Sequence, residues 1–343
     1  MILRQAAAAA AFLAVAAGLS AVFPHRAHAQ LASTAPVEWM EVRAKPIGRF
    51  RLGSSQTRFG PLEFVGGLEL ASSGKDFGGF SAMRFLEPGT AFVGVADTGF
   101  WFFGRLMRDA EGRPAGVEEF RMSPMVDEAG QVIGDKWYVD AEGLAVHDGI
   151  ATVSFEREHR VVEYRIDPDG MAGPIRNLDF VIPKEELRRN AGLETVIKSP
   201  EGGPQHGARI VIAERSLDPL GNIFGAVIEG PERGVFTVAR SDGYDVTDGA
   251  FLPNGDLLIL ERRFTIAQSI SMRLRRIPGG TVRAGGLLDG PVLMEANMAY
   301  RIDNMEALDV WLREDGATMV SIMSDDNQSV FQRSLYLEFR MVE

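Results

Sequence analysis

The sequence of 343 residues predicts an all-β protein, a β-propeller of six blades, with five or seven blades as the alternatives. Three observations lead to this prediction. A pattern of an acidic or hydroxyl residue before an apolar run occurs five times, glycine-rich turns separate short apolar runs, and the repeat is 52 to 61 residues long. Such a repeat, filled with short strands, is typical of a radially repeated sheet. The lead residues of the five copies are Ser81, Glu142, Glu194, Asp248 and Glu306.

The strands are predicted from apolar and β-branched runs that turn sequences separate. In chain order they cover residues 49–52, 62–70, 91–95, 143–147, 151–155, 161–166, 208–213, 234–239, 257–260, 272–277, 308–312, 318–323 and 334–339. The mean spacing of the lead residues, about 56, leaves room for about 5.3 repeats between residues 45 and 343. We therefore expect N-terminal strands to pair with the last strand and close a sixth blade, which leaves no free edge.

One short surface helix is predicted near residues 183–190. Pro183 stands at its start, acids occupy the first turn, bases occupy the last turn, and Gly192 lies beyond them. These are the usual start and stop signals of a helix.

The N-terminus has the pattern of an export signal. Arg4 precedes an apolar stretch, residues 6–18, and Ala27-His28-Ala29 fits a signal-peptidase site, so residues 1–29 are predicted to be removed. An uncleaved membrane anchor is the alternative. In either case residues 30–45 are predicted to be a polar lead, and residues 46–343 are predicted to form a single domain. We expect a monomer that is periplasmic or secreted, with no membrane span after cleavage.

Composition excludes several kinds of site. The net charge of −11 and the lack of a sustained basic stripe argue against a nucleic-acid partner. The chain has no cysteine, so it has neither disulfides nor thiolate metal ligands. Beyond the signal only His147, His159 and His206 remain, without a zinc-binding H-E-x-x-H motif.

A second polar cluster follows each lead residue after a strand-length gap. In a propeller both sets would meet at the central channel, where crowded carboxylates repel each other and require a cation, either arginine or a metal ion. One interpretation is an inter-blade ion-pair network, and the other is a substrate site at the channel mouth. The clusters are Asp97, Glu156-Arg157, Glu214-Arg215, Glu261-Arg262-Arg263 and Asp325-Asp326-Asn327.

Calcium suits these groups better than other metals, because it takes six to eight oxygen ligands in flexible geometry. The candidate metal ligands are Asp97, Asp248, Asp303, Asp325, Asp326 and Asn327. Arginine forks bind phosphate or carboxylate, and glycine-rich loops bind anions. The candidate substrate contacts are Arg157, Arg160, Arg215, Arg262, Arg263, Lys75 and Ser81. The candidate catalytic groups are Glu142, Glu194, Glu306 and His159.

At these residues the chain resembles the phytase-like domain family, the "esterase-like activity of phytase" proteins. The resemblance covers roughly residues 60–340. It implies a β-propeller, export in Gram-negative bacteria, and hydrolysis of phosphoric or carboxylic esters. The motifs that carry it are residues 75–83, 97–99, 140–144, 155–160, 247–251, 260–264, 303–306 and 324–327.

The sequence therefore predicts an exported ester hydrolase that is assisted by a metal, calcium, and acts on small anionic substrates such as phosphate esters. The alternative is a periplasmic propeller without catalytic activity, which binds a ligand or serves as a scaffold. The fold does not decide between them, because propellers host many unrelated functions.

Overall fold

A computed structural model describes residues 36–266 and 269–342, so the predicted signal peptide lies outside the described residues. These residues form 24 strands. The first twelve are β1 (Glu38–Trp39), β2 (Arg43–Ile47), β3 (Arg58–Phe59), β4 (Leu62–Ala71), β5 (Phe80–Phe85), β6 (Ala91–Ala96), β7 (Phe100–Arg108), β8 (Pro114–Pro124), β9 (Ala141–His147), β10 (Ile150–Phe155), β11 (Arg160–Arg165) and β12 (Arg176–Leu178). The others are β13 (Leu193–Lys198), β14 (Arg209–Leu217), β15 (Ile223–Val227), β16 (Gly234–Val238), β17 (Asp245–Phe251), β18 (Leu257–Thr265), β19 (Ser269–Ile277), β20 (Leu287–Leu288), β21 (Val292–Asn297), β22 (Asn304–Leu312), β23 (Thr318–Asp325) and β24 (Ser334–Met341).

The strands of the described chain form five sheets, which are the blades of a propeller. From the innermost strand outward they are β5-β6-β7-β8-β1, β9-β10-β11-β12, β13-β14-β15-β16-β20, β17-β18-β19-β21 and β22-β23-β24-β4-β2, and we number them blades 1 to 5. Each innermost strand contacts that of the next blade, and β22 contacts β5, so the ring is closed. The all-β propeller is confirmed.

The expectation of six blades is wrong, because the structure has five. The last strand, β24, does pair with an N-terminal strand, β4, along residues 62–70. However, both strands belong to the sheet of β22 and β23. Strands β2 and β4 therefore complete the fifth blade from outside and do not build another.

The core lies between neighbouring blades. Fully buried Val161, Val196 and Ile259 come from blades 2, 3 and 4 and belong to one apolar cluster. On the other side of blade 2, the rings of Trp101 and Tyr164 meet with centroids 5.1 Å apart. Since burial of apolar area is the main favourable contribution to folding, this packing fixes the inner strands around the channel.

Helices are few and short in the described residues. The predicted helix near 183–190 is only a single 3-10 turn, Lys184–Glu186, because Leu187 already has extended backbone angles. An unpredicted four-residue helix, α1 (Lys136–Val139), begins after Asp135, whose side chain accepts a hydrogen bond from the Trp137 amide. Among the described helices, none has the length and apolar character needed to cross a membrane.

Candidate functional site

Each innermost strand begins with a β-bulge. The pairing register shifts by one residue at Ser81, Glu194, Thr247 and Glu306, and Glu142 lies in the corresponding bulge of β9. A bulge leaves its extra residue outside the ladder and turns the side chain in a new direction. Four of the bulged residues, Ser81, Glu142, Glu194 and Glu306, line one cavity at the same end of the channel. The fifth, Thr247, is buried and donates to the Leu260 and Met305 carbonyls.

The end of the second strand of each blade supplies a second ring of side chains at this end. In each blade the residue of this ring directly follows the partner of the residue that precedes the bulge. The five residues are Asp97, Glu156, Glu214, Arg262 and Asp325. Together the two rings surround a cavity of about 220 Å³, which we call the acidic mouth. Its lining consists of Ser81, Asp97, Glu142, Glu156, Asn190, Glu194, Glu214, Arg262, Glu306, Asp325 and Asn327.

The acidic mouth has a large excess of negative charge. Seven of its eleven lining residues are Asp or Glu, and Arg262 is the single lysine or arginine among them. Arg262 lies 3.3 Å from a Glu214 oxygen and 3.4 Å from Glu306 Oε1, so one cation serves two carboxylates. Glu142 and Glu194 make no side-chain hydrogen bond or ion pair with any residue in the described parts of the chain, and Glu306 Oε2 also lacks a hydrogen-bond partner there.

Burial raises the pKa of most of these carboxyl groups, because the charged form loses its hydration. The pKa of Glu306 rises to about 8, and those of Glu156 and Asp325 rise to about 7. Burial and then the neighbouring carboxylates raise the pKa of Glu142 and Glu194 well above the ordinary value. Without a bound cation some of these carboxyl groups therefore keep their protons near neutral pH, and a cation would allow them to ionise by offsetting their mutual repulsion.

Two groups of carboxylates come close enough to share a cation. One oxygen from each of Asp140, Glu142 and Glu156 lies within 4.8 Å of the others, and the same holds for Glu156, Glu194 and Glu214. Glu156 belongs to both groups. Donors that are all carboxylate oxygens match hard cations such as calcium, whereas zinc sites ordinarily use histidine or cysteine. The unpartnered side chains of Glu142 and Glu194 fit the same interpretation.

The structure brings about half of the predicted site residues together. Two arginines lie at the rim of the acidic mouth: Arg157 Nε is 2.6 Å from Asp140, and Arg215 is 3.4 Å from Asp245. The predicted residues that line the mouth itself are Ser81, Asp97, Glu142, Glu194, Arg262, Glu306, Asp325 and Asn327.

Asp248 does not line the acidic mouth. The register makes Thr247 the bulged residue, so the Asp248 side chain lies one position further along the strand. There it forms a bidentate pair with Arg84, at 2.7 and 2.8 Å, and accepts a hydrogen bond from the Leu308 amide. Asp309 lies beside this pair, and burial raises its pKa to about 6. Arg84 and Asp309 line a separate cavity of about 530 Å³.

Asp303 and Asp326 hold loops in place. Asp303 pairs with Arg333 at 3.2 Å. Asp326 accepts hydrogen bonds from the Gly79 amide and from the Ser334 hydroxyl. Neither lines the acidic mouth.

The other predicted contacts lie elsewhere. His159 is buried beside Gly192 and lines a separate cavity with Lys184, and burial lowers its pKa. The Arg160 guanidinium stacks 3.8 Å from the centre of the Phe155 ring. Arg263 lies over Tyr244 and donates to the Asp242 carbonyl, and Lys75 is exposed on its loop.

Three carboxylates of the two carboxylate groups were not predicted as site residues from the sequence: Asp140, Glu156 and Glu214. The signal was present, because Glu156 and Glu214 directly precede Arg157 and Arg215, which were assigned to the substrate. The pairing register decides which side chain faces inward at the end of a strand. This register is known only from the structure.

Comparison with known proteins identifies a family but no specific relative. Residues 75–328 match the family described as "Phytase-like: Esterase-like activity of phytase". No curated protein sequence matches the chain. Solved structures with some similarity include the PQQ-bound aldose sugar dehydrogenase of Streptomyces coelicolor (12% identity, 83% of this chain and 100% of that chain, TM-score 0.44). Another is an endo-arabinase of Bacteroides thetaiotaomicron (13% identity, 72% and 89%, TM-score 0.43). These structural similarities are too low to carry an argument about function.

Proposed function

The chain belongs to the phytase-like family. We propose that it is an exported hydrolase of phosphate esters, which is assisted by calcium and acts at the acidic mouth. The observation that carries the proposal is the charge of this cavity, which is lined by seven carboxylates and one arginine, with Lys136 paired to Asp97 from outside the lining. Such a site needs a cation, and a bound cation attracts an anionic substrate. Export is inferred from the signal-like N-terminus.

The residues that would hold calcium are those of the two carboxylate groups. Asp140 and Glu142 lie on one side of Glu156, and Glu194 and Glu214 lie on the other. When bound, calcium supplies positive charge that offsets the charge of the substrate and favours ionisation of a nearby water. Asp325 and Asp97, which the sequence assigned to the metal, line the same cavity and add to its negative potential.

The rim arginines are suited to hold the phosphoryl group. The Arg157 side chain is 31% exposed and the Arg215 side chain 45% exposed, and each has one carboxylate partner. Guanidinium groups of this kind bind phosphoryl oxygens in a fork and stabilise the charge that grows on them during transfer. Arg262, deeper in the cavity, keeps Glu306 oriented through its contact with Oε1.

Glu306 is the general base of this proposal. Its Oε1 accepts a hydrogen bond from the Asn304 amide group at 2.7 Å, while its Oε2 has no partner among the described residues. Burial raises the pKa of Glu306 to about 8 in the metal-free protein, and the charge of a bound calcium would lower it towards neutral pH, the range in which a general base is effective. In this role Oε2 accepts a proton from a water whose oxygen bonds to phosphorus, while the bond between phosphorus and the ester oxygen breaks and the leaving alkoxide takes a proton from solvent.

Hydrolysis of chromogenic esters tests the proposal. The chelator-stripped protein should not hydrolyse 4-nitrophenyl phosphate, added calcium should restore the activity, and Glu306→Gln should lower kcat while the protein stays folded. The control is 4-nitrophenyl acetate, which has no phosphoryl group to bind. If the calcium-loaded parent hydrolyses no phosphate ester, the non-catalytic binding propeller is the better description.

A further inference from the structure

The rim of the acidic mouth contains an aromatic ring with two arginines around it. The indole of Trp137, in α1, has the Arg157 guanidinium carbon 5.5 Å and the Arg189 guanidinium carbon 5.9 Å from its ring centre. Its Nε1 donates a hydrogen bond to Glu158 at 3.1 Å. Cation–π contacts at this distance hold a guanidinium in place without using its N–H donors.

The donors of both guanidinium groups are largely uncommitted. Arg157 uses only Nε, towards Asp140, and its two terminal nitrogens have no acceptor in the described parts of the chain. Arg189 is exposed and has neither a hydrogen bond nor an ion pair with a described residue. The other two arginines of this rim each have a carboxylate partner, since Arg157 pairs with Asp140 and Arg215 pairs with Asp245. Arg189 is therefore a cation next to an excess of acids that nevertheless pairs with none of them.

The position of the two arginines follows from the chain. Arg157 directly follows Glu156, the carboxylate common to both cation groups, and Arg189 directly precedes Asn190, which lines the mouth. The Arg157 guanidinium bonds Asp140, a carboxylate of the first group, and Trp137 brings the Arg189 guanidinium to the same part of the rim. A ligand that bridges a cation and these arginines must be an anion with several oxygens, and a phosphoryl group has that form.

We propose that Arg157 and Arg189, held by Trp137, form an anion-binding arm that binds the terminal phosphoryl oxygens. Through this contact the arm selects phosphate monoesters over diesters and carboxylic esters. This inference rests on the proposed function and names the residues that choose its substrate class. A monoester offers three terminal oxygens and up to two negative charges. A diester offers two such oxygens and one charge, and a carboxylic ester has no charge for the arm to bind.

Binding of inorganic phosphate tests the arm without requiring turnover. Isothermal titration of the calcium-loaded protein should show phosphate binding that Arg189→Met weakens about tenfold, the loss of roughly one charge-assisted hydrogen bond. Trp137→Leu should weaken it as well, and Trp137→Phe, which keeps a ring, should restore part of it. Arg283→Met is the matched control, because Arg283 is an exposed arginine away from the mouth, and it should leave phosphate binding unchanged.

Kinetics separate this inference from the proposed function. Arg189→Met should raise KM for 4-nitrophenyl phosphate and leave the rate with the corresponding diester or acetate nearly unchanged. If the parent hydrolyses phosphate monoesters and Arg189→Met binds phosphate as tightly as the parent does, the arm is refuted and the proposed function stands. If the parent hydrolyses no ester but binds phosphate through Arg189, the proposed function fails and the arm stands. Absence of phosphate binding in the calcium-loaded parent refutes the arm.

Discussion

Replacing Glu156 with glutamine should stabilise the calcium-free protein and should reduce the stabilisation that calcium gives. Glu156 is 9% exposed and is shared by the two carboxylate groups. Glutamine has nearly the same shape and keeps the oxygen that accepts a hydrogen bond from the Gly192 amide at 3.3 Å. The substitution therefore removes a charge and leaves the packing intact. The metal-free variant should be more stable than the metal-free parent, and it should gain less from calcium.

The magnitude follows from the pKa of Glu156, which rises from 4.5 to about 7 on folding. Because this folded pKa is raised, the native protein binds the proton more tightly than the unfolded chain does. The stability of the metal-free parent should therefore fall as the pH increases from about 4.5 through about 7. Well above pH 7 the free energy of unfolding should be lower by about 3 kcal/mol, which corresponds to a decrease in Tm of about 5 °C for a domain of this size. Glu156→Gln should remove this loss at pH 8 and change little at pH 5.

Thermal unfolding gives the Tm of each protein under four conditions: at pH 5 and pH 8, each with chelator and with millimolar calcium. Asp248→Asn is the matched control, because it also neutralises a buried carboxylate but leaves Arg84 without its bidentate partner. That control should lose about 3–5 kcal/mol with and without calcium. If Glu156→Gln is destabilised at pH 8 in chelator, as the control is, the acidic mouth does not hold repelling charges and the reasoning is wrong.

Three further predictions concern the rim, the channel and the ring closure. Arg157→Met should lower turnover of phosphate esters with a Tm close to that of the parent, because the partly exposed pair with Asp140 contributes about 1 kcal/mol or less. A large loss of Tm with unchanged turnover would instead assign Arg157 to the scaffold. Arg84→Met should cost about 3–5 kcal/mol, since it leaves Asp248 buried and unpaired, and thermal unfolding should show the same loss with calcium present. Truncation before Ser334 removes the strand that joins both ends of the chain, so circular dichroism should show no cooperative unfolding, and a cooperative transition would contradict the closure by β24.

The repeat was readable from the sequence because each blade places its lead residue before an apolar run. Four of the five predicted lead residues, Ser81, Glu142, Glu194 and Glu306, line one mouth as expected. The fifth, Asp248, lies one position away, because the bulge in β17 is at Thr247. In a strand a shift of one residue moves a side chain to the other face. Spacing alone, which varies from 52 to 61 residues, cannot resolve such a shift.

The blade count failed for a different reason. The N-terminal strands were recognised as partners of the last strand, but spacing does not say which sheet the pair joins. In the structure β4 lies outside β24 in blade 5, so the residues that suggested a sixth repeat widen the fifth blade. Long-range pairing of this kind leaves no local signal in the sequence.

Calcium binding to the chelator-stripped protein decides whether the acidic mouth is a cation site. Isothermal titration at pH 8 should show calcium binding that Glu156→Gln and Glu194→Gln each weaken, because these carboxylates belong to the groups that share a cation. Protons should be released on binding, since the raised pKa values of the mouth mean that some carboxyl groups are protonated before calcium enters. The Tm of the parent should rise with calcium concentration, as expected when a ligand binds only the folded state. A parent protein that shows no heat of binding and no rise in Tm at millimolar calcium would contradict the account.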